Sequence, residues 1–302
     1  MFLIDAHNDT AYRMYFEKQP LDTNNLQIDL QKQKSFRTLL LFAIFMDPEK
    51  LQEFSTPLDY FSAIYENFSK ELRKNSQILQ FTRSSKDFLL SNTNQAMLTL
   101  EGGSLIDSLE LVDYLLEKQF KVITLTWNDS NRLATSAASG DSGGLSSFGC
   151  EVLRKMNDSK MVADLSHASD KTFWDVLQKT TRPVLVSHSN SRALCNHPRN
   201  ITDDMFRALM ENKGVLGINF YPPFLGEEAS LETIFSHMEH FLMLGGENHV
   251  GFGSDFDGVD CLPYGITDFS SYEAILSEMK RRGYSQSLME KIFYKNMMRV
   301  LE

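Results

Sequence analysis

The chain has 302 residues, 42% apolar and 23% charged, and its 22 Phe and 14 Met give it far too much surface to bury for a disordered protein. With 40 acidic against 30 basic residues it carries a net charge of −10. That argues against nucleic acid or an anionic membrane surface as partner, since both need a basic face. Three cysteines (Cys150, Cys195, Cys261) are too few, and odd in number, for a disulfide framework; they read as free thiols in a reducing compartment.

The chain opens MFLIDAHND, where Asp5 breaks the apolar run a signal peptide requires and no basic residue precedes it. The longest apolar stretch, 39–46, is far short of the ~20 residues of a membrane helix, so a cytoplasmic location is expected. Apolar runs of strand length recur at 2–9, 38–46, 96–103, 121–129, 161–167, 183–189, 214–221 and 249–256. Most are continuous rather than alternating, as strands buried on both faces are. Helical spacing marks 59–74, 105–118, 170–178, 203–212 and 231–244, with Asp203 as a helix-start residue. Two further helical patterns, 270–282 and 285–301, follow the last strand, and the polar stretch 130–147 is the longest segment without a period. Eight strands alternating with helices predict an α/β fold, a (β/α)8 TIM-like barrel with extra C-terminal helices, as one domain over 1–302. An open doubly wound sheet is the rival arrangement.

Chemistry gathers at the strand ends. The first strand ends in His7-Asn8-Asp9, the third at Glu101, the fifth at His167, the sixth at His188, and the eighth with Asp255 and Asp257. In a barrel those ends form one rim, the catalytic face. His7 and Asp9, two apart on a strand, share a face and can bind one metal ion together. Glu101 directly follows a buried run, where an acid is costly unless paired or metal-bound; the alternative is a helix-capping carboxylate. His167 and His188 are each an ordinary core histidine taken singly, but together they read as a second metal site that Glu101 can bridge. Two divalent ions bring about +4, which Asp9, Glu101, Asp255 and a hydroxide can balance. The mixed His/carboxylate set suits zinc first, with manganese or cobalt as alternatives.

Other patterns carry less. Gly140-Asp141-Ser142-Gly143-Gly144 copies a serine-protease signature but lies in a polar loop of an α/β chain. Asp255-Phe256-Asp257-Gly258 lacks the spaced ligands of a calcium loop. His237 and His240 are expected at the solvent edge of their helix.

Taken in order, IDAHND, TLEGG, ITLTWN, GLSSFG, VADLSH, VLVSHSNS, RNITDD, NFY and VGFGSDFDGV resemble the renal (membrane) dipeptidase family of metallopeptidases over most of the chain, in the form of its soluble bacterial-type members. The resemblance implies a TIM-like barrel and a binuclear zinc site that hydrolyses dipeptides with a water bridging the two ions. Carried over, His7 and Asp9 become ligands of the first zinc, Glu101 the bridging ligand, and His167 and His188 ligands of the second. Arg199 would hold the substrate's C-terminal carboxylate, for which a guanidinium is suited. Asp255 would act near the attacking water and the substrate amine. Tyr221, in NFY, falls in the substrate pocket. Family members are often homodimers, though no interface is legible here. One departure stands out: where mammalian members carry a histidine that stabilises the oxyanion, this chain has Trp127, followed by Asn128. An indole donates one hydrogen bond but carries no charge. Slower or redirected hydrolysis is therefore expected, with Asn128 as a substitute donor. The alternatives are another amide or ester hydrolase on the same site, acting on N-acyl amino acids or lactones, and a non-catalytic metal-binding barrel.

Overall fold

In the computed structural model, which describes all residues from Met1 to Glu302, eight parallel strands close into a ring. They are β1 (Phe2–Asn8), β2 (Arg37–Phe45), β4 (Asn94–Glu101), β5 (Phe120–Thr124), β6 (Val162–Asp164), β7 (Leu185–Ser189), β8 (Val215–Ile218) and β9 (Val250–Phe252). The pairings β2–β4 and β1–β9 complete the circle, so the closed (β/α)8 barrel holds and the open sheet does not. All eight expected strands are present. The ninth, β3 (Leu79–Phe81), lies outside the ring against the start of β4; three residues are too few to show a period.

Helices alternate with the strands: α1 (Thr10–Phe16), α2 (Pro57–Lys74), α3 (Ser85–Leu90), α4 (Leu109–Glu117), α5 (Ser147–Asp158), α6 (Asp170–Lys179), α7 (Asp203–Glu211), α8 (Pro222–Leu225) and α9 (Leu231–Met243). The longest, α2, shows why. Thr56 caps it by accepting the Asp59 amide, Pro57 opens it, and Tyr60, Phe61, Ile64, Phe68 and Leu72 bury one stripe. Helix α7 is capped by Thr202, one residue before the expected Asp203, whose carboxylate instead holds His240 at 2.8 Å. His237 is buried, not at the solvent edge. Its Nδ1 accepts the Ser191 amide at 3.0 Å and its Nε2 donates to the Leu225 carbonyl at 3.1 Å, which uses both positions of a neutral imidazole.

The C-terminal helices are α10 (Tyr272–Arg281), α11 (Gln286–Glu290) and α12 (Asn296–Leu301). A π-helical turn at Lys291–Lys295 joins the last two, splitting the continuous helix expected over 285–301. Ile292, Phe293 and Met297 bury beneath the barrel, while Asn296 donates to the carbonyls of Glu247 and Val250.

Two glycines allow the strand ends to close on β7. A Cβ at either Gly217 or Gly253 would press into the Ser187 carbonyl oxygen. Gly253→Ala is therefore expected to cost about 3 kcal/mol by overpacking. Chemical denaturation reads this directly, and a wild-type midpoint would mean that the backbone moves aside at no cost.

Candidate active site

Six titratable side chains meet at the C-terminal mouth of the ring. His7 and Asp9 come from the end of β1, Glu101 from the last position of β4, His188 from β7, and His167 and Asp255 from the turns after β6 and β9. All six are buried. His167, Asp255 and the adjacent Asp257 take left-handed backbone angles (φ 67°, 64° and 68°), a strain of about 1–3 kcal/mol each that characteristically collects at functional sites. The 130–147 loop braces one of these turns, since the Ala137 amide donates to the His167 carbonyl at 2.8 Å.

Glu101 sits at the centre. Its Oε2 lies 3.5 Å from His7 Nε2, while its Oε1 lies 3.0 Å from His167 Nε2 and 3.5 Å from His188 Nε2. Asp9 Oδ2 and Asp255 Oδ1 approach His7 Nε2 at 3.3 and 3.8 Å. Ligand-type atoms thus cluster in three overlapping triads: His7–Asp9–Glu101, Glu101–His167–His188 and His7–His188–Asp255.

The hydrogen bonds decide what the two histidines offer. His188 Nδ1 lies 2.8 Å from Ser187 Oγ, whose one proton goes to the Asp164 carboxylate at 2.6 Å. The serine oxygen must then accept from Nδ1–H, which leaves Nε2 a bare lone pair. His167 Nδ1 faces Asn128 Oδ1 at 3.0 Å, again an acceptor. The two Nε2 atoms point at each other across 3.0 Å, with Glu101 Oε1 beside them. Three acceptors with no proton among them suit a cation.

Electrostatics agree. Burial, with the Arg199 charge second, pulls the His167 imidazole down to about 4, and burial takes His188 well below its usual range. Burial pushes Asp9 up to about 7, with the Glu101 charge adding and His7 opposing. Burial raises Asp255 as well. Burial opposes protonation of His7, but Glu101 and Asp9 outweigh it and hold the imidazole well above its ordinary value. Three carboxylates this close cannot all ionise unless positive charge stands among them. His7 Nε2 and Asp9 Oδ1 are moreover buried with no hydrogen-bond partner. The residues fit a bound divalent metal.

A cavity of about 350 Å³ opens on this cluster, at the small end of ligand pockets. Arg199 lines it. Arg199 is 6% exposed; its guanidinium stacks over Phe224 at 5.3 Å, forms no ion pair, makes one long bond from Nη2 to the His188 carbonyl at 3.5 Å and leaves Nε without a partner. Burial brings it down to about 10, still fully charged at neutral pH. Tyr221 stands on the same wall, its amide held by Asn219 Oδ1 at 2.5 Å.

A family model for membrane dipeptidases (peptidase family M19) matches residues 1–302. The chain belongs to the membrane dipeptidase family. An uncharacterised dipeptidase of Schizosaccharomyces pombe is 30% identical over 335 aligned positions, 99% of this chain and 79% of that protein. An uncharacterised Klebsiella pneumoniae protein from the region 5′ of pqqA is 36% identical over 188 residues, 58% of this chain and 69% of its own. In fold the chain is similar to dipeptidase AC, a metallopeptidase (TM-score 0.92, 24% identity, 100% and 98% of the two chains). It is similar also to a Rhodobacter sphaeroides metallopeptidase solved with a phosphinate mimic of L-Ala-D-Ala (TM-score 0.89, 23% identity, 100% and 98%). Membership in a metallopeptidase family makes this dipeptidase-family chain a hydrolase. No helix in it is long and apolar enough to cross a membrane.

Against that family background, Trp127 forms an aromatic wall of the cavity with Phe45, ring centroids 4.7 Å apart, and lies 6.3 Å from the His167 ring. Asn128 also lines the cavity, with its side-chain oxygen on His167. Several contributors escaped the sequence reading. Asn219 donates to Asp255 Oδ2 at 3.0 Å; Asp257, which the sequence did place on the rim, belongs to none of the ligand triads and accepts instead from Thr10 Oγ1 and the Gln27 amide. Asp5 and Asp164 are buried beneath the rim. Their signal was present, because an acid inside an apolar strand needs several donors around it.

Proposed function

We propose that the chain hydrolyses the peptide bond of dipeptides and that its cofactor is a pair of zinc ions. The observation that carries this reading is the pairing, in one small cavity, of the unprotonated acceptor cluster with a buried, unpaired Arg199. One ion would be held by His7, Asp9 and Glu101 and the other by Glu101, His167 and His188. Bound there, they would supply Lewis acidity and a water of lowered pKa. The chain's own residues do the rest. Arg199 binds the substrate's terminal carboxylate through two parallel N–H donors, which fixes the scissile carbonyl over the cluster. Asp255, oriented by Asn219, accepts hydrogen bonds from the substrate amine. As water oxygen bonds to the carbonyl carbon and the C–N bond breaks, Asp255 passes the water's proton to the leaving nitrogen. Its pKa is raised by burial, which suits a carboxylate that takes up and returns a proton. The three unpaired cysteines are in keeping with a reducing, cytoplasmic setting.

Trp127 favours a second reading, hydrolysis of N-acyl amino acids or lactones on the same site, because an uncharged aromatic wall changes what packs beside the carbonyl. The test is metal content per chain together with turnover of dipeptides, N-acyl amino acids and lactones on one preparation. Two zinc ions per chain and a preference for dipeptides are expected. Faster turnover of lactones would favour the second reading, and a metal content near zero would leave only a binding role.

A further inference from the structure

Beneath the rim, one hydrogen-bonding device occurs twice. On β6 and β7, Asp164 Oδ1 accepts the amides of Ser166 (3.1 Å) and Ser187 (2.8 Å), while Oδ2 accepts the hydroxyls of Ser187 and Thr124 (both 2.6 Å). On β1 and β9, Asp5 Oδ1 accepts the amides of His7 (3.2 Å) and Ser254 (3.0 Å), while Oδ2 accepts the hydroxyls of Ser254 (2.5 Å) and Tyr272 (2.8 Å). In both, an acid takes the amide two residues ahead and both donors of a serine next to β6 or β1. In both, that serine directly precedes a site residue, His188 or Asp255. Every atom involved is buried, so each carboxylate is satisfied only by this arrangement.

We infer that Asp164 is a positioning residue that acts through Ser187 on His188, and that Asp5 is its counterpart, fixing the backbone that carries His7 and Asp255. The inference rests on the metal-binding reading above. Asp164 is the acceptor that claims the Ser187 proton. With that proton committed, Ser187 can only accept from His188, which stays protonated at Nδ1 and presents Nε2 to the cluster. A carboxylate two bonds removed thus decides which nitrogen is free to bind metal. Outer partners of this kind are commonly worth about 10- to 100-fold in metal affinity.

The geometry yields a non-additive outcome. In Asp164→Asn, the new amide donates to Ser187 Oγ, the serine proton turns to His188 Nδ1, and the imidazole proton moves to Nε2, where it obstructs the metal. In Ser187→Ala nothing forces either tautomer. The test is zinc affinity of wild-type protein and variants by competition with a chromophoric chelator, with thermal melts confirming folded protein. Asp164→Asn should weaken the tighter-held half-site about 10- to 100-fold, and Ser187→Ala only a few-fold. The double variant should bind like Ser187→Ala, better than Asp164→Asn alone. A structural role alone gives the opposite order, the double variant being worst. Wild-type affinity in Asp164→Asn, or no recovery in the double variant, would overturn the inference.

Should Asp164→Asn not fold, the long-range ¹⁵N–¹H spectrum of metal-stripped wild-type protein decides: a proton on His188 Nδ1 is expected, and one on Nε2 refutes the proposal. Failure of the metal reading is separable, since Glu101→Ala would then bind zinc no more weakly than wild type.

Discussion

Glu101→Ala should leave a folded barrel that holds at most one zinc through gel filtration, with kcat/KM for dipeptides down by on the order of 10³-fold or more. The size of the effect follows from where the carboxylate points. Its two oxygens face opposite halves of the cluster, Oε2 toward His7 and Oε1 toward His167 and His188. It belongs to two of the three ligand triads, so its removal cuts each of them to two donors. Catalytic zinc sites rest on three protein ligands, and a two-donor remnant does not compete with a chelator. Asp9→Asn, which touches one triad, should fall between the variant and wild type.

The same substitution predicts a stability difference that activity alone would not reveal. A ligand present at about 1,000 times its dissociation constant stabilises the folded state by about 4 kcal/mol. Adding zinc to stripped wild-type protein should therefore raise the melting temperature by several degrees, and adding it to Glu101→Ala should raise it clearly less. Glu101→Gln, which keeps the volume, guards against a mere cavity effect, because its amide N–H must face either His7 or the histidine pair. Full zinc content with undiminished turnover in both variants would remove Glu101 from the site.

Much of this is legible in the amino-acid sequence. Eight buried strands announce themselves as continuous Val, Ile, Leu and Phe runs, because burial on both faces suppresses alternation. The rim followed from the barrel rule that strand ends converge, which turned six scattered residues into one cluster. What escaped includes α5 (Ser147–Asp158), twelve residues whose buried stripe Val152, Leu153 and Met156 was passed over, and two further kinds of feature. Short elements such as β3 and α8 contain too few residues to display a period. The π-helical turn at 291–295 leaves the helical apolar spacing nearly intact while splitting the helix. The second kind is relational. That His188 owes its free nitrogen to Asp164 through Ser187, or that Asn219 orients Asp255, depends on which strands lie side by side. His237 misled for the same reason: its partners, Ser191 and Leu225, are 46 and 12 residues away.

Arg199→Ala should lower kcat/KM for dipeptides about 10²- to 10³-fold, mostly through KM, while leaving the protein as stable as wild type or more so. The first half reflects a lost charge-assisted contact made in a buried place, where truncating one partner costs about 2–5 kcal/mol. The second half reflects what the guanidinium endures without substrate: it is buried, has no ion pair, and its Nε lacks a partner. Such a group costs folding energy until a ligand satisfies it, so a neutral replacement such as Arg199→Met should melt at or above the wild-type temperature. Arg199→Lys should recover little activity, since an ammonium cannot reproduce the two parallel donors or the stack on Phe224. The sharpest reading compares a dipeptide with its C-terminal amide. Wild-type protein should favour the free acid by roughly the factor that Arg199→Ala loses, about 10²-fold or more, and the variant should treat the two alike. If Arg199→Ala still prefers the acid, the carboxylate is held elsewhere, and the buried guanidinium must be explained by its stack on Phe224 and its 3.5 Å contact with the His188 carbonyl.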